Sequence, residues 1–196
     1  MKTVIIFNII IGFILGSIPF GIIIAKLKGV DLKKVGSRNI GATNVLRSIG
    51  KWPAFITLLG DILKGTLTVA MGVYSGTGPF YEGLAGISAI LGHNFSIFLG
   101  FKGGKGVATS IGVLIIYTPK VALITLMIWL ASVIFTKYSS LGALVSFSFL
   151  PLNILLFDNK DKFIVAILIT VLIFIRHKDN IVRLIKGTER KIGQRE

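Results

Sequence analysis

Three stretches without a charged residue, 3–25, 83–101 and 138–157, run for 23, 19 and 20 residues. Each reaches the roughly 20 residues that a helix needs to cross about 30 Å of hydrocarbon. At that depth the backbone has no water to bond, so the spans must be helices that satisfy their own N–H and C=O groups. Composition agrees: 53% of the 196 residues are apolar, 15% are charged and the mean hydropathy is +0.84, against a charged fraction of about a quarter in soluble domains. The expected class is therefore all-α, a polytopic integral membrane protein forming one membrane-embedded domain over 1–196. The length leaves no room for a second soluble domain. The chain has no cysteine, which excludes disulfides, thiolate metal sites and a thiol nucleophile. The first apolar run exceeds the roughly 7 to 15 residues of a signal-peptide core, so a retained span is expected there.

Spans are expected near 3–25, 53–74, 83–100, 107–118, 120–136, 141–157 and 162–176. The stretch 106–137 is 32 residues, about 48 Å as one helix, so Pro119 should divide it. With seven spans and the amino terminus outside, 17 Lys and Arg lie on the inner side and four on the outer, whereas fusing 107–136 into one crossing gives 11 against nine. The preference of Lys and Arg for the cytoplasmic side selects the seven-span, N-out and C-in arrangement. It also gives the net charge of +14 a cause other than nucleic acid, which is not expected as a partner. Three polar, glycine-bearing segments then share the cytoplasmic face.

The first, 36–47, concentrates hydroxyls, amides, two glycines and two arginines. Such a mixture suits an oxyanion: Gly36 and Gly41 let backbone amides converge, Ser37, Asn39, Thr43 and Asn44 add donors, and Arg47 adds a planar fork. An ordinary capped turn is the competing reading. The second, 100–109, places Gly103, Gly104, Lys105 and Gly106 ahead of Thr109 at the start of a span. This is either an anion cradle of exposed amides, helix dipole and ammonium, or a flexible basic turn. Leu99 and Gly106 stand where a Walker loop needs Gly and Ser or Thr, so nucleotide hydrolysis is not supported. In the third, a continued helix would put Arg176, His177, Asn180 and Arg183 on one face; an amphipathic interfacial helix explains the same pattern.

Within the membrane, Asp61 and Lys64 sit three residues apart on the second span. They are either a functional pair or a mutually neutralised anchor. His93 reads as a packing hydrogen-bonder rather than a catalyst. No cluster has metal-ligand spacing, and neither a metal nor a cofactor is expected.

Together these segments resemble the bacterial acyl-phosphate:glycerol-3-phosphate acyltransferases, the PlsY family. The match rests on Gly-Ser-x-Asn-x-Gly-Ala-Thr-Asn-x-x-Arg at 36–47, Gly-His with Phe-Lys-Gly-Gly-Lys-Gly-Val-Ala-Thr at 92–93 and 101–109, and Arg-His-x-x-Asn-Ile-x-Arg followed by Glu at 176–189. Gly16-Ser17-Ile18-Pro19, Gly60-Asp61 and Lys64-Gly65 extend it along the chain. Arg38 and Ser96 depart from residues common in the family. The resemblance implies transfer of a fatty acyl group from acyl phosphate to the sn-1 hydroxyl of glycerol 3-phosphate, giving lysophosphatidic acid and phosphate. It implies catalytic roles for Ser37, Arg47, Lys105, His177 and Asn180, a phosphate loop at Gly103, Gly104, Lys105 and Gly106, and a structural Glu189. Its setting would be a bacterial cell (inner) membrane, among membrane lipids, with the site facing the cytoplasm. A small organic-phosphate transporter is the alternative, disfavoured by the lack of an internal repeat.

Overall fold

The computed structural model describes residues 1–193, and among them every regular element is helical. Helix α1 (Lys2–Ser17) stops where Pro19 disfavours helical geometry at Ile18, whose ψ is 117°, and α2 (Phe20–Leu27) resumes the same apolar run. The short α3 (Ala42–Ser48) precedes the long α4 (Lys51–Tyr74). Next come α5 (Pro79–Asn94) and α6 (Val107–Tyr117), then α7 (Pro119–Thr136), parted from α6 at Pro119 as expected. A pair bent by 41°, α8 (Ser139–Ser148) and α9 (Leu150–Phe157), follows. The chain closes with α10 (Phe163–Arg176) and α11 (Lys178–Ile185).

Two departures from the expected segments matter. The third segment, expected as a span to residue 100, is helical only from Pro79 to Asn94, after which the chain turns through a short 3-10 helix at Ile97–Leu99. The last helix does not continue into the tail, because His177 leaves helical geometry at φ −101°, ψ 7° and α11 starts afresh. Three helical stretches are by themselves long and apolar enough to cross a membrane, and the bent α8–α9 pair makes a fourth. Helix α6 has 11 residues, about 16 Å, which falls short of the hydrocarbon thickness.

Helix α5 packs against α1, α4, α6 and α10. It meets α1 through small residues: a Cβ on Gly16 would lie 2.1 Å from the Ala89 carbonyl oxygen, and one on Gly92 would lie 2.2 Å from that of Phe13. Close backbone approach of this kind replaces the hydrophobic drive that lipid removes. The main apolar core, including Ile90, Val113, Leu114, Phe147, Ile169 and Ile173, lies among α5, α6, α8 and α10. A smaller one, Ala25, Leu32, Ile40, Val45 and Ala54, lies beneath loop 36–47. At the end of the bundle away from that loop, Lys162 pairs with Asp158 at 3.0 Å and donates to the Tyr117 carbonyl at 2.6 Å, tying the 158–162 turn to the α6–α7 break.

Candidate active site

Loop 36–47 is organised by one amide. Asn44, 1% exposed, sits in α3; its Oδ1 accepts from the Ser37 N–H at 2.8 Å, and its Nδ2 donates to the carbonyls of Asn39 at 2.8 Å and Val35 at 3.2 Å. Asn44, expected to bind phosphate, thus spends its side chain on the loop backbone. Among the described residues, the Asn39 side chain is engaged only through Oδ1, which accepts from the Gly41 N–H at 3.4 Å. Ser37 remains at the surface, as does Arg38, held at φ +58°. A Cβ on Gly41 would meet nothing within 4 Å, so the space there is open. Thr43 Oγ1 lies 3.3 Å from Ser139 Oγ at the start of α8, and Arg47 donates through Nη2 to the Lys191 carbonyl at 3.3 Å.

The glycine loop has a different construction from the cradle expected of it. The Gly103 N–H donates to the Asn94 carbonyl at 3.1 Å and the Gly104 N–H to the His93 carbonyl at 3.0 Å, so both amides close the end of α5. On the opposite side, Arg176 donates from Nε to the Gly104 carbonyl at 3.0 Å, and from Nη2 to the carbonyls of Gly103 at 3.1 Å and Gly104 at 2.8 Å. The guanidinium also lies 5.1 Å from the Phe95 ring centroid, a cation–π geometry. Glycine is needed because a Cβ at 103 would lie 2.0 Å from the His93 carbonyl oxygen and one at 104 would lie 2.1 Å from His93 Nε2. With those two amides spent, an anion brought to this loop would meet the Lys105 ammonium and the amides at the start of α6, where Gly106 has φ +80°. Thr109, expected to assist, is fully buried.

Lys105 is largely withdrawn from water, and that burial, together with the nearby Arg183 and Arg176 charges, brings its ammonium down to about 8 against the pull of Glu189 and Asp179. The ammonium therefore sits within electrostatic reach of the tail. There His177, 2% exposed, has Nδ1 2.8 Å from the Ile173 carbonyl. A carbonyl only accepts, so Nδ1 carries the proton and the Nε2 lone pair is available. Burial and the Lys105 charge push His177 down to about 4, so the ring is neutral at pH 7.

Glu189 ties the tail to α8. Its Oε1 accepts from Asn180 Nδ2 at 2.6 Å and Ser140 Oγ at 2.8 Å, and its Oε2 from Arg183 Nε at 2.7 Å. Burial alone would raise this carboxyl, but those three donors hold it below the usual carboxylate range. Asn180 keeps a buried Oδ1 with no protein donor. The Ile192 N–H donates to the Lys137 carbonyl at 2.8 Å. Loop 36–47, the glycine loop, the start of α8 and the tail thus converge at one end of the bundle.

Inside the bundle, Lys64 Nζ lies 2.9 Å from Asp61 Oδ1 and donates to the Ile18 carbonyl at 3.1 Å. That carbonyl lies at the α1–α2 break, where it also accepts the Phe20 N–H at 3.2 Å. His93 Nδ1 stands 3.5 Å from the same Asp61 oxygen, and all three side chains are buried. Among the described residues, neither Asp61 nor Lys64 pairs or hydrogen-bonds with the tail or loop 36–47. Sequence reasoning did not single out Arg176 as the clamp of the glycine loop, nor Ser139 and Ser140 as its neighbours' anchors. The serines carry no local signal beyond a helix start.

A family model described as glycerol-3-phosphate acyltransferase matches residues 6–187. A glycerol-3-phosphate acyltransferase of Carboxydothermus hydrogenoformans is 46% identical over 189 residues, covering 95% of this chain and 96% of the relative. The crystal structure of PlsY, an integral membrane glycerol 3-phosphate acyltransferase, in its glycerol 3-phosphate form is similar with a TM-score of 0.92 at 40% identity, over 96% of each chain. Its lysophosphatidic acid form gives 0.89 at 39% identity, over 96% of this chain and 95% of that one.

Proposed function

The chain belongs to the glycerol-3-phosphate acyltransferase family, and we propose that it transfers a fatty acyl group from acyl phosphate to the sn-1 hydroxyl of glycerol 3-phosphate. The observation that carries this reading is the convergence of three basic, polar segments at one end of an apolar bundle, locked there by the Arg176, Glu189 and Arg47 contacts. Two phosphate-bearing substrates need two anion sites, and an acyl chain needs access from the bilayer. The loops and the lipid-facing helices supply both.

In the proposed reaction the hydroxyl oxygen attacks the acyl carbonyl carbon, the bond from that carbon to the phosphate oxygen breaks, and phosphate leaves with the hydroxyl proton. Acyl phosphate is already activated, so alignment and cationic stabilisation of the developing oxyanion carry most of the acceleration. Arg47 and Lys105 hold the two phosphates, Ser37 donates to one of them, and Asn180 with His177 orients the hydroxyl. A ring that protonates only near 4 is a weak general base at pH 7. The departing phosphate, with a second pKa near 6, is the better acceptor.

The arrangement is a single unit with seven spans, the amino terminus outside and the site in the cytoplasm, in a bacterial inner membrane. Supporting it, Lys137, loop 100–106 and loop 36–47 each meet the segment from Arg176 onward, as segments separated by even numbers of crossings should. Purified protein in lipid vesicles, given acyl phosphate and glycerol 3-phosphate, should form lysophosphatidic acid and phosphate in equal amounts. Uptake of glycerol 3-phosphate without product would identify a transporter instead. Single cysteines placed in this cysteine-free chain report the sidedness; labelling of a tail cysteine by an impermeant reagent from outside overturns the orientation.

A further inference from the structure

We infer that His93, packed against the Asp61–Lys64 pair with Nδ1 3.5 Å from Asp61 Oδ1, is a positioning residue that sets the glycine loop and hence the Lys105 ammonium. The glycine at 104 is then required by a contact within the protein rather than by substrate. This rests on the phosphate-binding role proposed above for that loop.

His93 touches the loop twice. Its carbonyl accepts the Gly104 N–H at 3.0 Å, and its ring lies directly beneath residue 104, with Nε2 2.1 Å from where a Cβ would be. The opposite edge of the ring, Nδ1, faces Asp61 Oδ1 at 3.5 Å. The imidazole is therefore a spacer between a carboxylate on α4 and the backbone of the loop. Asp61 is held in turn by Lys64 at 2.9 Å, and Lys64 by the Ile18 carbonyl at the α1–α2 break.

A buried ion pair is poor evidence of net stabilisation, because desolvation of both charges offsets their attraction. What the pair does supply is position, since each charge has few places to go. The chain of contacts runs from the break in α1–α2, through α4 and α5, to the residue next to Lys105. Arg176 closes the loop from the other side through the Gly103 and Gly104 carbonyls, so a displaced ring at 93 has to move the loop or be moved by it.

Two arms test this in the full chain. The first is a double-mutant cycle of Gly104→Ala and His93→Ala read as melting temperature, which needs no turnover. Gly104→Ala alone should lower the melting temperature, and the same methyl should cost much less once the ring is gone. Shifts that add independently overturn the contact. In the same cycle His93→Ala by itself should raise KM for a phosphorylated substrate more than it lowers kcat, an outcome that a merely structural ring would not produce.

The second arm keeps His93 and uses Asp61→Asn, which preserves size and hydrogen-bond acceptance. A misplacement near 1 Å costs up to about 10²-fold, so KM for glycerol 3-phosphate or acyl phosphate should rise by roughly 10- to 10²-fold with a smaller change in kcat. A folded Asp61→Asn protein with both KM values unchanged overturns the positioning role. Wild-type protein that makes no lysophosphatidic acid overturns the proposed function and the loop's role in it, while the melting cycle still decides the contact.

Discussion

Loop 36–47 and loop 100–106 read alike, glycine-bearing, polar and basic, yet they are built in opposite ways. The first hangs on one side chain: the buried Asn44 amide gathers the Ser37 N–H and the Val35 and Asn39 carbonyls, leaving Ser37 at the surface and Arg47 to reach across to the tail. The second is held by its own backbone, with amides on the end of α5 and carbonyls on Arg176, so that it presents a side chain, Lys105. A loop organised by a side chain leaves its surface to other side chains. A glycine loop whose amides are already spent offers a ligand chiefly the ammonium that follows.

The largest expected effect falls on the side-chain-built loop. Arg47→Lys keeps the charge and loses the planar fork, and kcat/KM should fall by about 10²- to 10³-fold, the cost of one preorganised donor. A loss below about tenfold would show that this loop contributes charge alone. Next comes the backbone-built loop: Arg176→Ala removes three hydrogen bonds to two carbonyls, and activity should drop by up to about 10²-fold through misplacement of Lys105. Wild-type kinetics in that variant would show that the clamp from α5 suffices and would erase the contrast.

A smaller effect is a limb in the pH profile. With Lys105 brought down to about 8, the cation is present below that pH and lost above it, so turnover should fall as pH rises through about 8. Lys105→Arg stays charged there and should remove the limb, whatever its absolute rate. A limb that persists in that variant assigns it elsewhere. The smallest change is expected in His177→Gln, which keeps a hydrogen-bonding group. Its loss should stay below the roughly 10²-fold that removal of a general base costs. Because His177 is neutral above about 4, any limb near 6 belongs to phosphate and should survive the substitution. A vanished limb with a larger loss would make His177 the base.

Much of this was legible locally. Charge-free runs mark the helices because hydrocarbon admits no other backbone, and Pro119 divides α6 from α7 because its ring cannot continue a helix. Asp61 and Lys64 pair at 2.9 Å as their i,i+3 spacing implies. The early end of α5 was not legible: residues 95–100 are uncharged and mostly apolar, and only the docking of Gly103 and Gly104 onto its last carbonyls shows that the chain turns there. The break at His177 was hidden likewise, since helical periodicity continues through it.

The sequence by itself determined the solvent this chain folds in, the segments that must be helical and the three places where polar chemistry is concentrated. All of these follow from composition and spacing over a few turns. Only the tertiary structure decided what each polar group does. Asn180 meets Glu189 across nine residues, but Ser140 meets it across 49, Arg176 meets Gly104 across 72 and Arg47 meets the Lys191 carbonyl across 144. Helix periodicity says which residues share a face and is silent on which faces meet. In a bundle held by close backbone approach and by the satisfaction of buried polar groups, that second question settles whether a glycine faces a substrate or a histidine.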